Sequence, residues 1–301
     1  MAHEETVYDA LDHAHGGEGQ WAFGTGFDDP LAGVDTTIPD GVDAADLGAY
    51  CLMLGDDALV LCQRLTEWAT RAPELEEEVA IANCGLDLLG QARLLLARAG
   101  SCGVLGRSRE HATDSIPDED ALAYFRDPDE FVNHHLAEAD GGDFAQTMVR
   151  LLVASTARLA LFARLRESRD PVVSAIAAKG VPELTYHRDH AARWVLRLGD
   201  GTAESHRRAQ AAVDAVWPLT ADLFTATDVE RRLGDAAVDP ASTKDEVRDV
   251  LAMVVERATL TVPEWPADRP SPGRAGEHTD ELTPLLATLQ GLAREHPAAT
   301  W

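Results

Sequence analysis

The sequence predicts an all-α protein, a bundle of long helices, and three observations carry that prediction. Apolar residues recur at mixed three- and four-residue steps through several long stretches, the spacing of one face of an α-helix. Ala-Pro, Asp-Pro and Gly-Asp-Gly punctuate those stretches where a helix starts or stops. No alternation of apolar and polar residues is sustained long enough for a strand, and no segment repeats.

The first helix runs from Leu47 to Trp68, with Leu52, Leu54, Leu59, Leu61, Leu65 and Trp68 as its apolar positions. Arg71-Ala72-Pro73 ends it, because the residue before a proline is driven out of helical geometry. The pattern resumes from Leu75 to Leu96 through Val79, Ile81, Leu86, Leu88, Leu89 and Leu94. Two antiparallel helices of about 25 residues, each near 37 Å, need partners to cover them. Gly100 to Pro117 reads as a loop, Asp118 to Tyr124 as a short helix, and Asp127-Pro128 as the start of another that includes Phe131. Phe144 to Glu167 is the third long helix, apolar or small around most of its circumference and therefore buried on most sides. Asp170-Pro171 caps and starts the fourth. It extends to Leu198 and stops at Gly199-Asp200-Gly201, with a kink expected at Gly180 and Pro182. Further helices follow at Ala203 to Leu223, at Thr243 to Leu260 with Ser242 or Thr243 as cap, and at Thr279 to His296 beyond a loop from Pro263 to Gly276. Residues 1–43, rich in Asp, Glu, Gly and Thr with Trp21, Phe23 and Phe27 scattered among them, read as an acidic, largely irregular extension. Residues 44–301 then form one helical domain.

Charge narrows the function. The chain has 52 acidic and 26 basic residues, a formal net charge of -26, and no Lys or Arg before Arg64. Nucleic acid and anionic membranes are poor partners for such a surface. This much like charge repels itself at ordinary ionic strength, whereas at molar salt the screening length falls to about 3 Å. We therefore read a halophilic protein of a salt-rich cytoplasm. There is no uninterrupted apolar run of about 18 residues for a membrane span, and no basic start followed by an apolar core for a secretory signal. Cys51, Cys62, Cys84 and Cys102 form no C-x-x-C pair and have no histidine at zinc spacing. Buried free thiols are expected, in keeping with a reducing compartment.

A bundle of this kind binds two metals for oxygen chemistry when two helices carry Glu-x-x-His and the other two supply carboxylates. The second helix offers Asn83, Asp87 and Gln91 one turn apart, but Gly90 stands three residues after Asp87. The fourth offers Glu183, His187 and His190, with Tyr186 three residues after Glu183. The first has Asp56, Asp57 and Glu67 as candidates. On the third, no carboxylate lies between Asp143 and Glu167, and Ser155 and Thr156 are its mid-helix polar candidates. At least one histidine and one carboxylate are missing from a di-metal set. Glu183, His187 and His190 could hold a single cation. The preferred reading is a vestigial polar core of Glu67, Asn83, Asp87, Gln91, Glu183, His187 and His190, hydrogen-bonded because buried carboxylates must be paired. No G-x-G-x-x-G, Walker or G-x-S-x-G motif is present.

Several segments nevertheless resemble a known family. Leu54-Gly55-Asp56-Asp57-Ala58-Leu59, Gln63-Arg64-Leu65, Ala72-Pro73-Glu74-Leu75-Glu76, Ala82-Asn83 and the run Gly85 to Arg93 are similar to the PaaC family, one of the subunit types of phenylacetyl-CoA epoxidases. So are Phe144-Ala145, Leu165-x-Glu167-Ser168-Arg169-Asp170-Pro171, Tyr186-His187, Trp194, Arg197 to Thr202 and Gly273-Arg274-x-Gly276-x-His278-Thr279. The resemblance implies a ferritin-like fold. It also implies a partner, the di-iron catalytic subunit of the complex, which epoxidises the ring of phenylacetyl-CoA with dioxygen. Electrons would come from NADPH through a reductase subunit with flavin and an Fe-S centre. The PaaC-type chain would bind no cofactor, and would pair with the catalytic subunit as a structural partner, with further small subunits in the assembly. Ser155, where relatives are expected to keep an acid, departs from the pattern. Arg93 to Arg98 and the Gly273 to Thr279 loop are the expected partner-facing surfaces. The competing expectations are a self-sufficient oxygenase using Glu67, Asp87, Glu183, His187 and His190, and a homo-oligomeric storage-type protein.

Overall fold

A computed structural model describes residues 31–113 and 116–299, which fall, from Gly33 onward, in the compact unit Gly33–Trp301. The helices are α1 Ala44–Thr66, α2 Leu75–Ser101, α3 Ser108–His111, α4 Asp118–Tyr124, α5 His135–Glu138, α6 Phe144–Leu165, α7 Pro171–Gly199, α8 Ala203–Val216, α9 Asp228–Leu233, α10 Lys244–Arg257 and α11 Leu282–Glu295. No strand occurs among the described residues. α1 lies along α2 and α6 along α7, α2 meets α7, and α8 and α10 cover the α6/α7 pair. This is an all-α, ferritin-like bundle of four long helices with additional C-terminal helices. Trp21, Phe23 and Phe27 lie outside the described residues.

Local chemistry explains most boundaries. Asp43, Asp143 and Asp170 each cap a long helix by accepting a backbone N–H three residues on, from Asp46, Gln146 and Val173 at 3.0, 3.0 and 2.9 Å. Leu47, Leu65, Ile81, Leu88, Leu95, Leu151 and Leu184 are all but fully buried between these helices, each such side chain contributing about 1.5–3 kcal/mol by leaving water. Cys51, Cys62 and Cys84 are buried free thiols among them, and Cys102 is half-buried and free. By length and composition α2 could cross a membrane, with a mean hydropathy of 1.3 over 18 residues. Here its apolar inner face is a wall of the bundle.

The structure corrects several expectations. Gly180 and Pro182 do not end α7, which stays helical from Pro171 to Gly199 with Pro182 inside it. Gly180 serves close packing, since a Cβ there would lie 2.8 Å from the Phe162 ring of α6. The fifth helix stops at Val216 and tightens into a 3-10 turn over Trp217–Asp222, where Pro218 has no N–H to continue the α-helical ladder. Thr243 stands at the start of α10 without capping it, its hydroxyl donating back to Pro240 O at 2.8 Å. The last helix begins at Leu282 rather than Thr279, and α9, unexpected from sequence, starts in a capping box of Thr227 and Glu230.

Candidate functional site

The expected core residues divide into two groups. Arg158 of α6 donates Nε–H to Gln91 Oε1 on α2 at 2.9 Å, and Gln91 Nε2 donates to Glu183 Oε2 on α7 at 2.9 Å. Lys179 Nζ closes the chain on Glu183 Oε1 at 2.6 Å. One step outward, His187 Nε2 meets Asp87 Oδ2 at 3.0 Å, joining α7 to α2 again. Burial lowers the pKa of His187 despite the opposing pull of Asp87, so the imidazole is neutral at pH 7 and Nε2 carries the proton it shares with the carboxylate. Asp87 is not buried, its side chain being 37% exposed.

The other candidates lie elsewhere. His190 Nε2 is 3.2 Å from Glu77 Oε2, which already accepts Trp194 Nε1–H at 2.6 Å. Glu67 pairs with Arg64 at 3.0 Å at the end of α1, and Asn83 is exposed on the outer side of α2. Ser155 and Thr156 turn their hydroxyls back to the helix, onto Leu151 O at 2.5 Å and Leu152 O at 2.6 Å. Arg158, which sequence reasoning passed over, takes the interior position on α6, with its guanidinium 4.3 Å above the Phe162 ring.

The two acids of α1 are also taken. Asp56 forms a double bridge to Arg126, at 2.5 Å to Nη2 and 3.0 Å to Nη1, and accepts Val132 N–H at 2.9 Å. Asp57 faces Arg274 Nη2 at 2.6 Å and accepts His134 N–H at 2.8 Å. Burial, the largest single influence, would raise the Asp57 pKa, but Arg274 and His134 together hold the carboxyl below its usual range. Among the described residues, no three His, Cys, Asp or Glu side chains converge to hold a metal ion. A bridged pair of irons needs several free carboxylates turned to one point. Residues already bound pairwise, with a guanidinium among them, do not fit such a group.

The two expected partner surfaces are mixed, with the Arg93 side chain and Ala275, Glu277 and Thr279 exposed. Arg98 is buried and bridges Asp170, the cap of α7. Two side chains of the 273–279 loop reach inward as struts. Arg274 reaches Asp57, while His278 sets Nδ1 against Glu138 Oε2 and Nε2 against Phe131 O, both at 2.8 Å. Both ring nitrogens of His278 face acceptors, so both donate and the ring is an imidazolium. In keeping with this, its pKa is raised although burial works against the charge. The exposed apolar surface lies instead along α2, where Leu75, Val79, Leu86 and Leu89 are 71%, 53%, 63% and 39% exposed. These positions recur on one stripe of the helix. Tyr186 of α7 is likewise 50% exposed.

Fold and site together define a ferritin-like helix bundle whose candidate acids are each held by a guanidinium, amide, ammonium or imidazole group of the same chain. The chain belongs to the phenylacetic acid catabolic protein family, whose profile matches residues 35–301. It is 42% identical over 257 residues to the C subunit of 1,2-phenylacetyl-CoA epoxidase from Escherichia coli (strain K12), a match that covers 85% of this chain and 99% of that protein. The family match opens ahead of Ala44, so the last residues of the expected extension belong to the family body. Consistently, Thr36 O and Asp40 O accept from Arg98 and Arg169 at 2.7 and 2.6 Å.

Proposed function

We propose that this chain is a non-catalytic structural subunit of a multicomponent phenylacetyl-CoA epoxidase in aerobic phenylacetate catabolism. In this reading it works in the cytoplasm and docks on a catalytic subunit that holds the di-iron centre, with NADPH-derived electrons delivered by a reductase subunit. The observation that carries the docking is the apolar stripe of α2. Large apolar side chains gathered on one exposed helix face mark a protein interface more often than an ordinary surface, and the relative that spans most of the chain is named as one subunit of an epoxidase. The pairwise use of Asp56, Asp57, Asp87, Glu183 and His187 supports a bundle that binds no metal of its own. The acidic excess supports a salt-rich cytoplasm.

The test is co-expression with a catalytic-subunit homologue from the same genome, followed by size-exclusion chromatography with light scattering and by iron analysis of this chain alone. A joint peak is expected, broken by Leu86→Glu or Leu89→Glu while each variant chain keeps its melting temperature. Two separate wild-type peaks refute the docking. Two irons per chain in this polypeptide refute the non-catalytic reading.

A further inference from the structure

A cavity of about 90 Å³ opens beside the Arg158 network, enclosed by α1, α6, α7 and the segment from Leu223 to Thr243. Leucine is the commonest residue on its walls, with Leu54, Leu61, Leu88, Leu151 and Leu184 among them. At roughly 10–15 Å³ for one water, the space takes several waters or one compact organic body.

The polar groups on its wall are unequally satisfied. Asp57 is held by Arg274, and Glu230 accepts Thr227 N–H at 2.6 Å. Arg158 differs from them. Its Nε and Nη1 are used, at Gln91 Oε1 and at Leu54 O, 3.0 Å away, but Nη2 is buried without a partner. No carboxylate among the described residues lies within ion-pair distance of this guanidinium, and the residue is only 9% exposed. Burial pushes its pKa down only to about 10, so it is a cation at neutral pH. His187 also lines the cavity, fully buried, but with its proton on Nε2 the unpartnered Nδ1 is an acceptor and offers an anion no donor. An unpaired buried cation is costly unless an anion meets it, and Arg is the residue whose fork suits a carboxylate.

We propose that this cavity is a binding site for a small organic carboxylate, with its anionic head on Arg158 Nη2 and its apolar body against Leu54, Leu88 and Leu184. Binding there is a property of this chain alone, whether or not it docks on a catalytic subunit. Sequence reasoning missed it because an arginine on a long helix ordinarily reads as solvated. The available signal was Gln91 and Glu183, polar positions expected on the inner faces of the helices that Arg158 meets.

The experiment is isothermal titration of the purified full-length protein with benzoate and with butyrate as carboxylate probes, and with benzamide as the uncharged control. Saturable 1:1 binding of at least one carboxylate is expected, with benzamide at least tenfold weaker. Arg158→Met, which keeps much of the volume and removes the charge, is expected to weaken binding at least tenfold at an unchanged circular-dichroism spectrum. If that variant does not fold, Leu184→Trp decides, since it fills the cavity and leaves the guanidinium intact, and it is expected to abolish binding. The proposal is overturned by any of three results: neither carboxylate binds the folded wild type, benzamide binds as tightly, or binding survives Arg158→Met or Leu184→Trp.

Discussion

Replacing Asp56 by Asn removes one charge from the interior and changes almost nothing in shape. Asp56 and Arg126 are 0% and 1% exposed, and the guanidinium is further fixed by Leu122 O at 2.6 Å and Glu130 O at 2.9 Å. The substituted amide would keep one oxygen acceptor for three donors and turn its own NH₂ toward Arg126 Nη or Val132 N–H. Breaking a buried pair from one side costs about 3–5 kcal/mol, because the remaining charge stays buried. Against a total stability of about 5–15 kcal/mol this is a large fraction, and at about 2–4 °C per kcal/mol it lowers Tm by roughly 10 °C. Urea unfolding of wild type and Asp56→Asn, each at about 0.1 M and about 2 M KCl, measures it. The loss is expected to be the same at both salts, since mobile ions do not reach a fully buried pair while they do screen the surface. Asp56→Leu combined with Arg126→Met is expected to recover most of it. A loss under about 1 kcal/mol, or one that vanishes at high salt, would show that the bridge does not stabilise the bundle in the way the geometry implies.

The wild-type protein, carrying a formal charge of -26, is expected to gain in Tm as KCl rises, as the screening length shrinks from about 8 to about 3 Å. A flat Tm would remove the support for a salt-rich compartment. Gly273→Ala is expected to destabilise by several kcal/mol, because its Cβ would lie 2.0 Å from Asn133 O, a backbone atom that cannot swing aside. A calorimetric Tm within about 2 °C of wild type, the size of a small effect on a chain this long, would contradict it. The pH dependence has two limbs of opposite sign. Burial, helped by Arg274, lowers the His134 pKa to about 4, so the unfolded chain takes up its proton first and stability falls as pH drops from about 6.5 toward that value. His278, with its pKa raised by Glu138 against burial, stabilises fully below about 6.5 and loses that contribution as pH rises through its folded-state value. Urea midpoints across pH should flatten on the acid side in His134→Gln and on the alkaline side in His278→Gln. Parallel curves for all three proteins would refute the assignment.

The long helices were legible because the apolar period and the Asp caps are local signals, and the 118–124 helix matches its expected bounds. Local signals were also present for α9 in the Thr227/Glu230 box, but six residues gave no apolar period to join to it. Spacing placed Gln91 and Glu183 on facing helices, and the structure brings them into contact. The same spacing grouped Asn83 and Glu67 with them, because one helical turn says nothing about which side of the stripe faces in. The partners that decide the interior, Arg126, Arg158 and Arg274, were invisible for a different reason. Each is far along the chain from the group it binds, and only the closed fold puts them together. For the same reason the inward contacts of Arg274 and His278 went unseen in a loop whose Ala275, Glu277 and Thr279 are indeed exposed.

Asp56 and Asp57 are adjacent on α1, yet their arginines stand 70 and 217 residues downstream. During synthesis at about 5–20 residues per second, the second aspartate waits roughly ten to forty seconds for its counterion to leave the ribosome. Until then any hairpin of α1 and α2 has no Arg274 guanidinium for that carboxylate. A chain cut short before Arg274 is therefore expected to bury Asp57 without its guanidinium, at a cost of about 3–5 kcal/mol.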